Sequence, residues 1–300
     1  VTRMTLADMG KKKKENLVKG ISYAVLIIWV LITLVPIIFT VLTAFKTDPE
    51  ISMASFKWLP ESFGNIESFR QAFAMGDWFQ YFKNSLFITA VTVVGSLIFN
   101  SMAGYAFARL KFKGREFLFM SVLLGMMVSP QSIIIPQYVM MRSAPLFGGN
   151  NILGQGGTGL LDTYGSLIVP FLAGAFGIFL CRQFYSTFPT SLDDAARIDG
   201  CGVIKTYFVI YLPLSKTILA TLTILKSVAT WNDFFYPLIM TQSEKMKTVQ
   251  LGLQMFRGSS MTHYNYLMAA TIITVIPMVI VYACAQKYFV QGIVSSGMKN

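Results

Sequence analysis

Few side chains in this sequence could carry out covalent chemistry or bind a metal ion. The chain has one histidine, His263, and three scattered cysteines in or near apolar stretches, Cys181, Cys201 and Cys284. An odd and scattered set of cysteines predicts small buried thiols, and it excludes a disulfide framework and a zinc or haem site. The sequence also contains no recognisable nucleophile–base pair and no phosphate-binding loop. We therefore expect a protein that is not an enzyme and that holds no metal.

Two charges of opposite sign interrupt one of the apolar stretches. Lys226 lies roughly 14 Å into this stretch, and Asp233 follows on much the same helix face. A charge at this depth costs about 2.5–3.5 kcal/mol on insertion scales, so it should face a partner or a water-filled path. The two residues could form an ion pair within this helix or across subunits, or Lys226 could attract a ligand of opposite charge. Aromatic and amide side chains nearby could contact a ligand or anchor the helix at the interface: Trp231, Asn232 and Tyr236.

These residues lie in a chain whose composition predicts a membrane protein. Of its 300 residues, 54% are hydrophobic and only 13% are charged, which is about half the charged fraction of soluble proteins. The 25 Phe, 13 Tyr and 4 Trp exclude intrinsic disorder. A spanning helix needs about 20 mainly apolar residues. Six stretches meet this requirement and predict an all-α integral membrane protein with six transmembrane helices: 20–45, 84–108, 117–141, 163–181, 217–240 and 266–286.

The distribution of basic residues predicts the orientation of these helices. If the N-terminus is cytoplasmic, sixteen of the 25 Lys and Arg lie inside and eight lie outside. Cytoplasmic loops carry such an excess, so both termini are expected to be cytoplasmic. The formal net charge of +11 is then an orientation signal, and the lysines at 11–14 are expected to contact anionic membrane lipid. Nucleic acid is not expected as a partner.

On this topology the chain has four segments. Residues 1–19 are predicted to be a mobile basic tail in the cytoplasm, and 20–82 to be the first transmembrane helix with an external segment. Residues 83–290 are predicted to form the transmembrane core, and 291–300 a cytoplasmic C-terminal tail.

Two segments of the predicted core interrupt regular helices. Pro130 and Pro136 remove backbone donors from the third span, which predicts a kinked or partly unwound helix. The irregularity is either a packing kink or part of the translocation path.

The external loop 142–162 contains six glycines and cannot form a helix. Its flexible backbone and amides could enter the sugar-binding cleft of another protein, through Gly148, Gly149, Asn150, Asn151, Gln155, Gly156 and Gly157.

The loop between the fourth and fifth spans is predicted to form a helix, a turn and a second helix on the cytoplasmic surface. Ser191 precedes Asp194 by three residues, which predicts an approximate capping box in which the Ser191 hydroxyl meets the Asp194 amide. Gly200 is expected to end this first helix in the left-handed conformation. Ala195 and Ala196 would offer a side flat enough for close docking. From the residues alone, the segment is either a docking element or an ordinary connector.

The spacing within this loop resembles the EAA loop of bacterial ATP-binding-cassette importer permeases. That pattern is Glu-Ala-Ala-x3-Gly-x9-Ile-x-Leu-Pro, and the sequence fits it from Asp194 to Pro213 except that Asp replaces Glu. Further motifs are similar to the carbohydrate-uptake branch, which includes the maltose transporter: YAFAR (105–109), GLLDTY (159–164), WNDFFYPL (231–238) and QKYFVQG (286–292).

The resemblance implies a type I importer permease fold in the bacterial cytoplasmic membrane, and a set of partners. These are a second permease in a heterodimer, two ATPase subunits that hold ATP and Mg, and a solute-binding protein outside. The substrate would be a carbohydrate, with acidic oligosaccharides such as alginate fragments among the candidates. Lys226 could then attract an anionic sugar, and Trp231, Asn232 and Tyr236 could contact the sugar. This chain would bind no cofactor itself. Loop 142–162 would reach into the binding protein as a scoop. Loop 189–213 would couple to the ATPase through Ser191, Asp193, Asp194, Ala195, Ala196, Arg197, Asp199, Gly200, Ile210, Leu212 and Pro213.

An ion-coupled secondary transporter is the alternative class. Such a transporter needs acidic residues within the membrane to carry protons or sodium, and only Asp233 qualifies. No inverted repeat of interrupted helices is evident either. For the importer, the predicted translocation path contains Pro130, Pro136, Lys226, Trp231, Asn232, Asp233 and Tyr236.

Overall fold

A computed structural model describes residues 6–51, 57–257 and 262–297. Within these ranges every regular element is a helix, and the β contact is an isolated bridge between Arg257 and Thr262. The prediction of an all-α protein is confirmed. In chain order the helices are α1 (Leu6–Ala44), α2 (Asp48–Ile51), α3 (Glu67–Ala74), α4 (Trp78–Arg109), α5 (Arg115–Gly125), α6 (Pro130–Arg142), α7 (Tyr164–Ile168), α8 (Ala175–Ser186), α9 (Ser191–Ile198), α10 (Val203–Thr206), α11 (Leu212–Leu214), α12 (Lys216–Trp231), α13 (Phe235–Met240), α14 (Val249–Leu253) and α15 (Tyr264–Gly297).

The chain divides into two compact units. The first contains Val1–Met75 and Phe256–Ile273, and the second contains Gly76–Met255 and Thr274–Asn300. In the first unit, α1 begins at Leu6 and continues without a break into the first apolar stretch. Residues 6–19 are therefore helical, and the mobility of this tail stays a prediction. Residues 1–5 and the side chains of the lysines at 11–14 lie outside what the structure describes.

Four helices are long and apolar enough to cross a membrane, and two bent helix pairs in the described residues raise the number to as many as six. In the first pair, α5 and α6 meet at 105°, and Pro130 is the first residue of α6. The predicted break of the third span is confirmed. In the second pair, Val203–Leu214 and α12 meet at 78°. The four candidates without such a bend are Asn16–Ala44, Trp78–Arg109, Tyr164–Ser186 and Tyr264–Lys287, of which Tyr164–Ser186 combines α7 and α8.

The predicted fifth span is not one continuous helix. α12 ends at Trp231, and α13 starts only at Phe235. A continuous helix would need an amide at Pro237 to donate to the Asp233 carbonyl, and proline has none. Instead the Asp233 Oδ1 atom accepts a hydrogen bond of 3.2 Å from the Tyr236 amide at the start of α13. The helix that contains the predicted second span is longer than that span, since α4 begins at Trp78 and the predicted span begins at residue 84.

The second unit is built around α4, which packs closely along α8. A Cβ atom at Gly104 would lie 2.8 Å from the Arg182 amide nitrogen and 2.9 Å from the Cys181 carbonyl carbon. Small residues allow this approach of two backbones, as in other helix contacts within membranes. The Asn100 side chain adds a polar link, because its Oδ1 atom accepts a hydrogen bond of 2.8 Å from the Gly174 amide.

We expect Gly104→Ala to weaken the α4–α8 contact. The added methyl group would meet the backbone of α8, which cannot rotate away as a flexible side chain can. Overpacking of this kind typically costs about 1–3 kcal/mol. The midpoint of thermal unfolding in detergent should fall by several degrees, whereas Gly20→Ala, which has open space around the new methyl group, should leave it unchanged. An unchanged midpoint for both variants would contradict the close contact.

Candidate functional site

The predicted docking helix is present as α9, but it starts differently from the expectation. The Asp194 amide donates to the Thr190 carbonyl at 3.2 Å, and no side chain caps the helix. The predicted capping box between Ser191 and Asp194 is therefore wrong, because a backbone carbonyl already accepts the amide that the hydroxyl would have bound. The two acidic residues of the first turn, Asp193 and Asp194, still complement the helix dipole.

The predicted end of α9 at Gly200 is confirmed. Gly200 has a φ of 68°, in the left-handed region that glycine adopts at little cost. The Cys201 amide donates to the Ala196 carbonyl at 2.8 Å, and the Gly200 amide donates to the Arg197 carbonyl at 3.0 Å. This pair of bonds is a Schellman motif, which fixes the direction in which the chain leaves the helix.

One face of α9 and the start of α10 form an exposed surface, which we name the coupling surface. It combines charged residues with apolar side chains that are far from buried, since Ile198 is 87% exposed and Ile204 is 71% exposed. Exposed apolar groups rimmed by charges are typical of protein docking sites. The residues of the coupling surface are Asp194, Ala195, Arg197, Ile198, Asp199, Val203 and Ile204.

Only part of the predicted docking set lies on this surface. Ala195 is exposed, but Ala196 is only 2% exposed, so the expectation that both alanines offer a docking side is wrong for Ala196. Ala196 lies four residues after the half-buried Leu192, and the two mark the inner face of α9. Of the remaining predicted set, Ser191, Gly200 and Pro213 are exposed, while Asp193, Ile210 and Leu212 are half-buried.

Asp193 points inward and binds Arg109, the last residue of α4. The Arg109 side chain is only 7% exposed, and its Nε atom donates to Asp193 Oδ2 at 2.9 Å. A second bond joins Arg109 Nη2 to the same carboxylate oxygen. The guanidinium also donates to the carbonyls of Phe188 at 3.0 Å and Pro189 at 3.1 Å. These four bonds therefore run to α9 itself and to the residues just before it.

A tyrosine completes this arrangement from the other side. The Tyr211 hydroxyl donates to Asp193 Oδ1 at 2.7 Å, and the Tyr211 ring lies 5.6 Å from the Arg109 Cζ atom. Tyr211 belongs to a π-helical turn, Tyr207–Tyr211, that leads into α11. We name Arg109, Asp193 and Tyr211 the clamp, because they tie α9 to the end of α4 and to the segment before α12.

The sequence does not reveal that Arg109 contacts this loop. Its motif, YAFAR, indicates a similarity to importer permeases but not the contact with Asp193. The contact between Arg109 and Asp193 joins residues 84 positions apart in the chain, so no short sequence pattern indicates it. The available signal was a single basic residue in the last turn of a long apolar helix, facing a loop with acidic residues.

The glycine-rich loop has no helix, as predicted, and its base is held by hydrogen bonds. Asn150 is buried, and its Nδ2 atom donates to the carbonyls of Arg142 at 2.7 Å and Ala144 at 3.0 Å. Its Oδ1 atom accepts from the Gly157 amide at 2.7 Å. The Asn150 amide therefore holds the loop together and does not face outward.

The outward part of this loop is apolar. Asn151 and Gln155 are exposed, and Asn151 Oδ1 accepts bonds from the amides of Leu153 and Gln155. Around these two residues lies a set of exposed apolar side chains, Leu146, Phe147, Ile152 and Leu153, with Ile152 and Leu153 each 77% exposed. Of the other predicted loop residues, Gly148, Gly149 and Gly156 have positive φ and shape the turns, while Gly157 packs against the Gly148 and Asn150 backbone.

Asp162 fastens the end of the glycine-rich loop to the turn after α13. Its amide donates to the Met240 carbonyl at 2.9 Å, and Oδ1 accepts from the amides of Gln242 and Ser243 and from the Ser243 hydroxyl, each at 3.0 Å. Burial raises the pKa of Asp162, but the bonds from Ser243 and Gln242 outweigh this effect and hold the pKa below its ordinary value.

The lowered pKa of Asp162 predicts an acid-dependent loosening of the loop. A carboxylate with a depressed pKa stabilises the folded form above its unfolded pKa, and this stabilisation is lost as pH falls through the folded pKa. Limited proteolysis of the loop should therefore accelerate below about pH 4. Asp162→Asn should make cleavage fast already at pH 7, and its φ of 57° is one that Asn tolerates. Equal cleavage rates for the two proteins would contradict the role of the charge.

The structure brings three of the predicted path residues together around one cavity in the second unit. The cavity has a volume of about 70 Å³, and we name it the Lys226–Asp233 cavity. The Lys226 Nζ atom lies 5.2 Å from the centre of the Phe171 ring. Lys226 and Asp233 make no direct contact between ammonium and carboxylate, but their charges interact electrostatically, so the predicted pair within this helix is present only as a longer-range interaction. The polar lining consists of Ser85, Lys226, Thr230, Asp233, Tyr236 and Thr248.

The other predicted path residues lie elsewhere. Pro130 and Pro136 are exposed and do not line the cavity. Trp231 is buried, and its Nε1 atom donates to the Thr274 carbonyl at 3.1 Å, which makes it a packing residue. Asn232 is exposed and accepts a bond of 3.2 Å from the Gln250 side chain. Among the described residues, no group of three or more His, Cys, Asp or Glu could hold a metal ion.

Comparison with known proteins finds membrane components of transport systems that match most of the chain. Residues 100–295 match the family described as the binding-protein-dependent transport system inner membrane component. The probable ABC transporter permease protein YurM of Bacillus subtilis is 33% identical over 271 residues, which are 88% of this chain and 83% of YurM. The arabinooligosaccharides transport system permease protein AraQ of Halalkalibacterium halodurans is 32% identical over 271 residues, which are 90% of this chain and 92% of AraQ.

A solved structure has a similar fold. A chain from the crystal structure of a bacterial ABC transporter involved in the import of the acidic polysaccharide alginate superposes with a TM-score of 0.74. The two chains are 25% identical, and the match covers 96% of this chain and all of the other.

Proposed function

Because this chain belongs to the family of binding-protein-dependent transport system inner membrane components, we propose that it is a permease subunit of an ATP-driven importer that moves carbohydrate across the bacterial inner membrane. The proposal of carbohydrate is supported by relatives named for arabinooligosaccharide transport and by the fold of an alginate importer chain. The observation that carries the coupling mechanism is the clamp, which joins the inner face of α9 to α4 while the coupling surface remains exposed.

In this proposal the chain makes and breaks no covalent bond. Partner ATPase subunits bind ATP and Mg and approach each other, and α9 docks on one of them through the coupling surface. Nucleotide can shift the permease between two states only if the ATPase contacts differ between those states. The clamp supports this role, because a side chain with four bonds into the α9 segment makes α9 and the end of α4 move as one body.

The topology is proposed with six spans and both termini in the cytoplasm. The two bent helix pairs each count as one broken span on this assignment. Backbone groups freed at such breaks are tolerated in a membrane where they face protein or a water-filled path. A second permease subunit is proposed to complete the path. The exposed side chains of residues 16–39 on α1 would meet lipid or another membrane helix.

The glycine-rich loop is proposed to contact the solute-binding protein outside. Its base is held by Asn150 and Asp162, so the exposed tip is presented on a fixed support. The tip is apolar, with Leu146, Ile152 and Leu153 each more than 70% exposed. Contact through these side chains differs from the sequence expectation that the amides reach into the cleft, since the Asn150 amide is used within the loop.

Uptake into proteoliposomes tests this function directly. Vesicles containing the purified complex should accumulate a labelled oligosaccharide only with internal ATP and external binding protein. Uptake should persist when ionophores collapse the ion gradients, and it should stop when the ATPase subunits are inactivated. Uptake that needs an ion gradient and no ATP would contradict the proposal and favour an ion-coupled secondary transporter.

A further inference from the structure

Two residues that line the Lys226–Asp233 cavity carry a hydroxyl group for which the described part of the chain offers no hydrogen-bond partner. The Tyr236 Oη and Thr248 Oγ1 atoms are both buried without a hydrogen-bond partner, and both residues line the cavity. Buried polar groups are nearly always hydrogen-bonded, so an orphaned pair around one cavity needs an explanation. The arrangement indicates a place where a molecule that forms hydrogen bonds is received.

The charged groups of the same cavity have opposite signs. The Lys226 ammonium lies over the Phe171 ring, and that ring in turn makes an edge contact with Tyr236, with ring centres 4.7 Å apart. The Asp233 carboxylate is oriented by the Tyr236 amide. Because the lining contains one lysine and one aspartate, its formal charges cancel.

This balance of charge selects the chemistry of the ligand. An ammonium group only donates hydrogen bonds and an ionised carboxylate only accepts them, whereas a hydroxyl group does both. Neighbouring hydroxyls can therefore accept a bond from Lys226 and donate one to Asp233. An anionic ligand would be attracted by Lys226, but it would be repelled by Asp233 in the same small space.

The size of the cavity limits how much of the ligand it receives. A volume of about 70 Å³ open to the centres of water-sized groups compares with roughly 10–15 Å³ for one water molecule in the same measure, so the cavity accommodates several hydroxyl groups. The Phe171 ring at its wall offers an apolar surface beside the polar groups, as is usual in small-molecule sites.

We propose, on the basis of the carbohydrate-importer function above, that the Lys226–Asp233 cavity binds neighbouring hydroxyl groups of a neutral sugar residue. The chain then discriminates against sugars that carry a carboxylate at this position. This assigns Lys226 and Asp233 a shared role, and it replaces the expectation that Lys226 alone attracts an anionic sugar.

Competition uptake with paired substrates tests this assignment. Proteoliposomes with the complete importer receive a neutral oligosaccharide and a uronate-containing one of the same length, and the ratio of their uptake rates is compared between variant and wild type. The binding protein is the same in both assays, so its own preference between the two sugars cancels when the uptake ratio of the variant is divided by that of the wild type. Asp233→Asn leaves the cavity positive and should raise the uronate-to-neutral ratio by about tenfold, equivalent to 1.4 kcal/mol. Lys226→Met should lower neutral uptake without raising uronate uptake.

Three outcomes would overturn the proposal or its premise. An unchanged ratio in both variants would show that the cavity is a structural feature only. A selective loss of uronate uptake in Lys226→Met would show an anion subsite. ATP-independent uptake of both sugars by the wild type would instead contradict the proposed function itself. Lys216→Met is the matched control, because this lysine is exposed at the start of α12.

Tyr236→Phe keeps the proposal testable if the charge variants fail to assemble. The variant removes a hydroxyl without a protein partner, so folding should be unaffected. Neutral-sugar uptake should fall about fivefold for the loss of one hydrogen bond to the ligand. Tyr138→Phe is the control, because Tyr138 packs in the same hydrophobic cluster but does not line the cavity. Equal neutral-sugar uptake by Tyr236→Phe and wild type would contradict the proposal.

Discussion

Arg109→Asp is expected to abolish sugar uptake while the ATPase subunits continue to hydrolyse ATP. The change removes every bond from the guanidinium to the α9 segment and places a second carboxylate beside Asp193. Removing one partner of a buried ion pair costs about 3–5 kcal/mol. With α9 no longer tied to α4, movement of the ATPases would not reach the membrane helices. Parallel assays of uptake and ATP hydrolysis on the same vesicles would measure the uncoupling.

The charge-reversed double variant is the matched control for this prediction. Arg109→Asp combined with Asp193→Arg restores an ion pair between the same two positions. Rescue should be partial, because the carbonyls of Phe188 and Pro189 lose their donor. If the double variant assembles as well as the single one but transports no better, the clamp does not transmit the movement.

Gly200→Pro is expected to have an effect of similar size through the backbone. Proline fixes φ near −65°, whereas Gly200 has a φ of 68°, and proline also removes the amide that donates to the Arg197 carbonyl. The chain would leave α9 in another direction and displace the exposed residues of α10. Uptake should fall to background while the protein still inserts in the membrane, which a carbonate-wash fractionation and an uptake assay would measure together.

A neighbouring glycine provides the control for this variant. Gly202 has a φ of −71° with no atom within 4 Å of an added Cβ, so Gly202→Ala needs no change of the backbone. This variant should transport at the wild-type rate. Uptake by Gly200→Pro at that same rate would show that the exit of the chain from α9 is not needed for coupling.

The local features of α9 could be predicted from the sequence because they depend on neighbouring residues. Gly200 ends α9 because glycine adopts a positive φ at little energetic cost. Asp193 and Asp194 favour the start of α9 because acidic residues complement the helix dipole in the first turn. The capping box at Ser191 was wrong because the Thr190 carbonyl competes for the same amide, and a residue pattern does not show which acceptor is used. The burial of Ala196 could not be predicted either, because a helix of eight residues is too short for its sequence to show clearly which side is buried.

Tertiary contacts could not be predicted in the same way. The Lys226–Asp233 cavity combines α12 and α13 with Ser85 of α4, Phe171 and Thr248, which are far apart in the chain. The sequence located both charges and their shared helix face, but it did not show that α12 ends at Trp231 and separates them. The clamp likewise depends on how α4 and α9 meet in space.

Site-specific crosslinking from the coupling surface tests the central claim most directly. A photo-crosslinking residue at Ala195, which is exposed on α9, should form a covalent adduct with an ATPase subunit in the intact membrane complex. The same residue at Ile152, which is exposed on the glycine-rich loop, should react with the external binding protein and never with the ATPase. Adducts from Ala195 only with lipid or with other membrane helices would show that α9 is a connector and not the surface on which the ATPase docks.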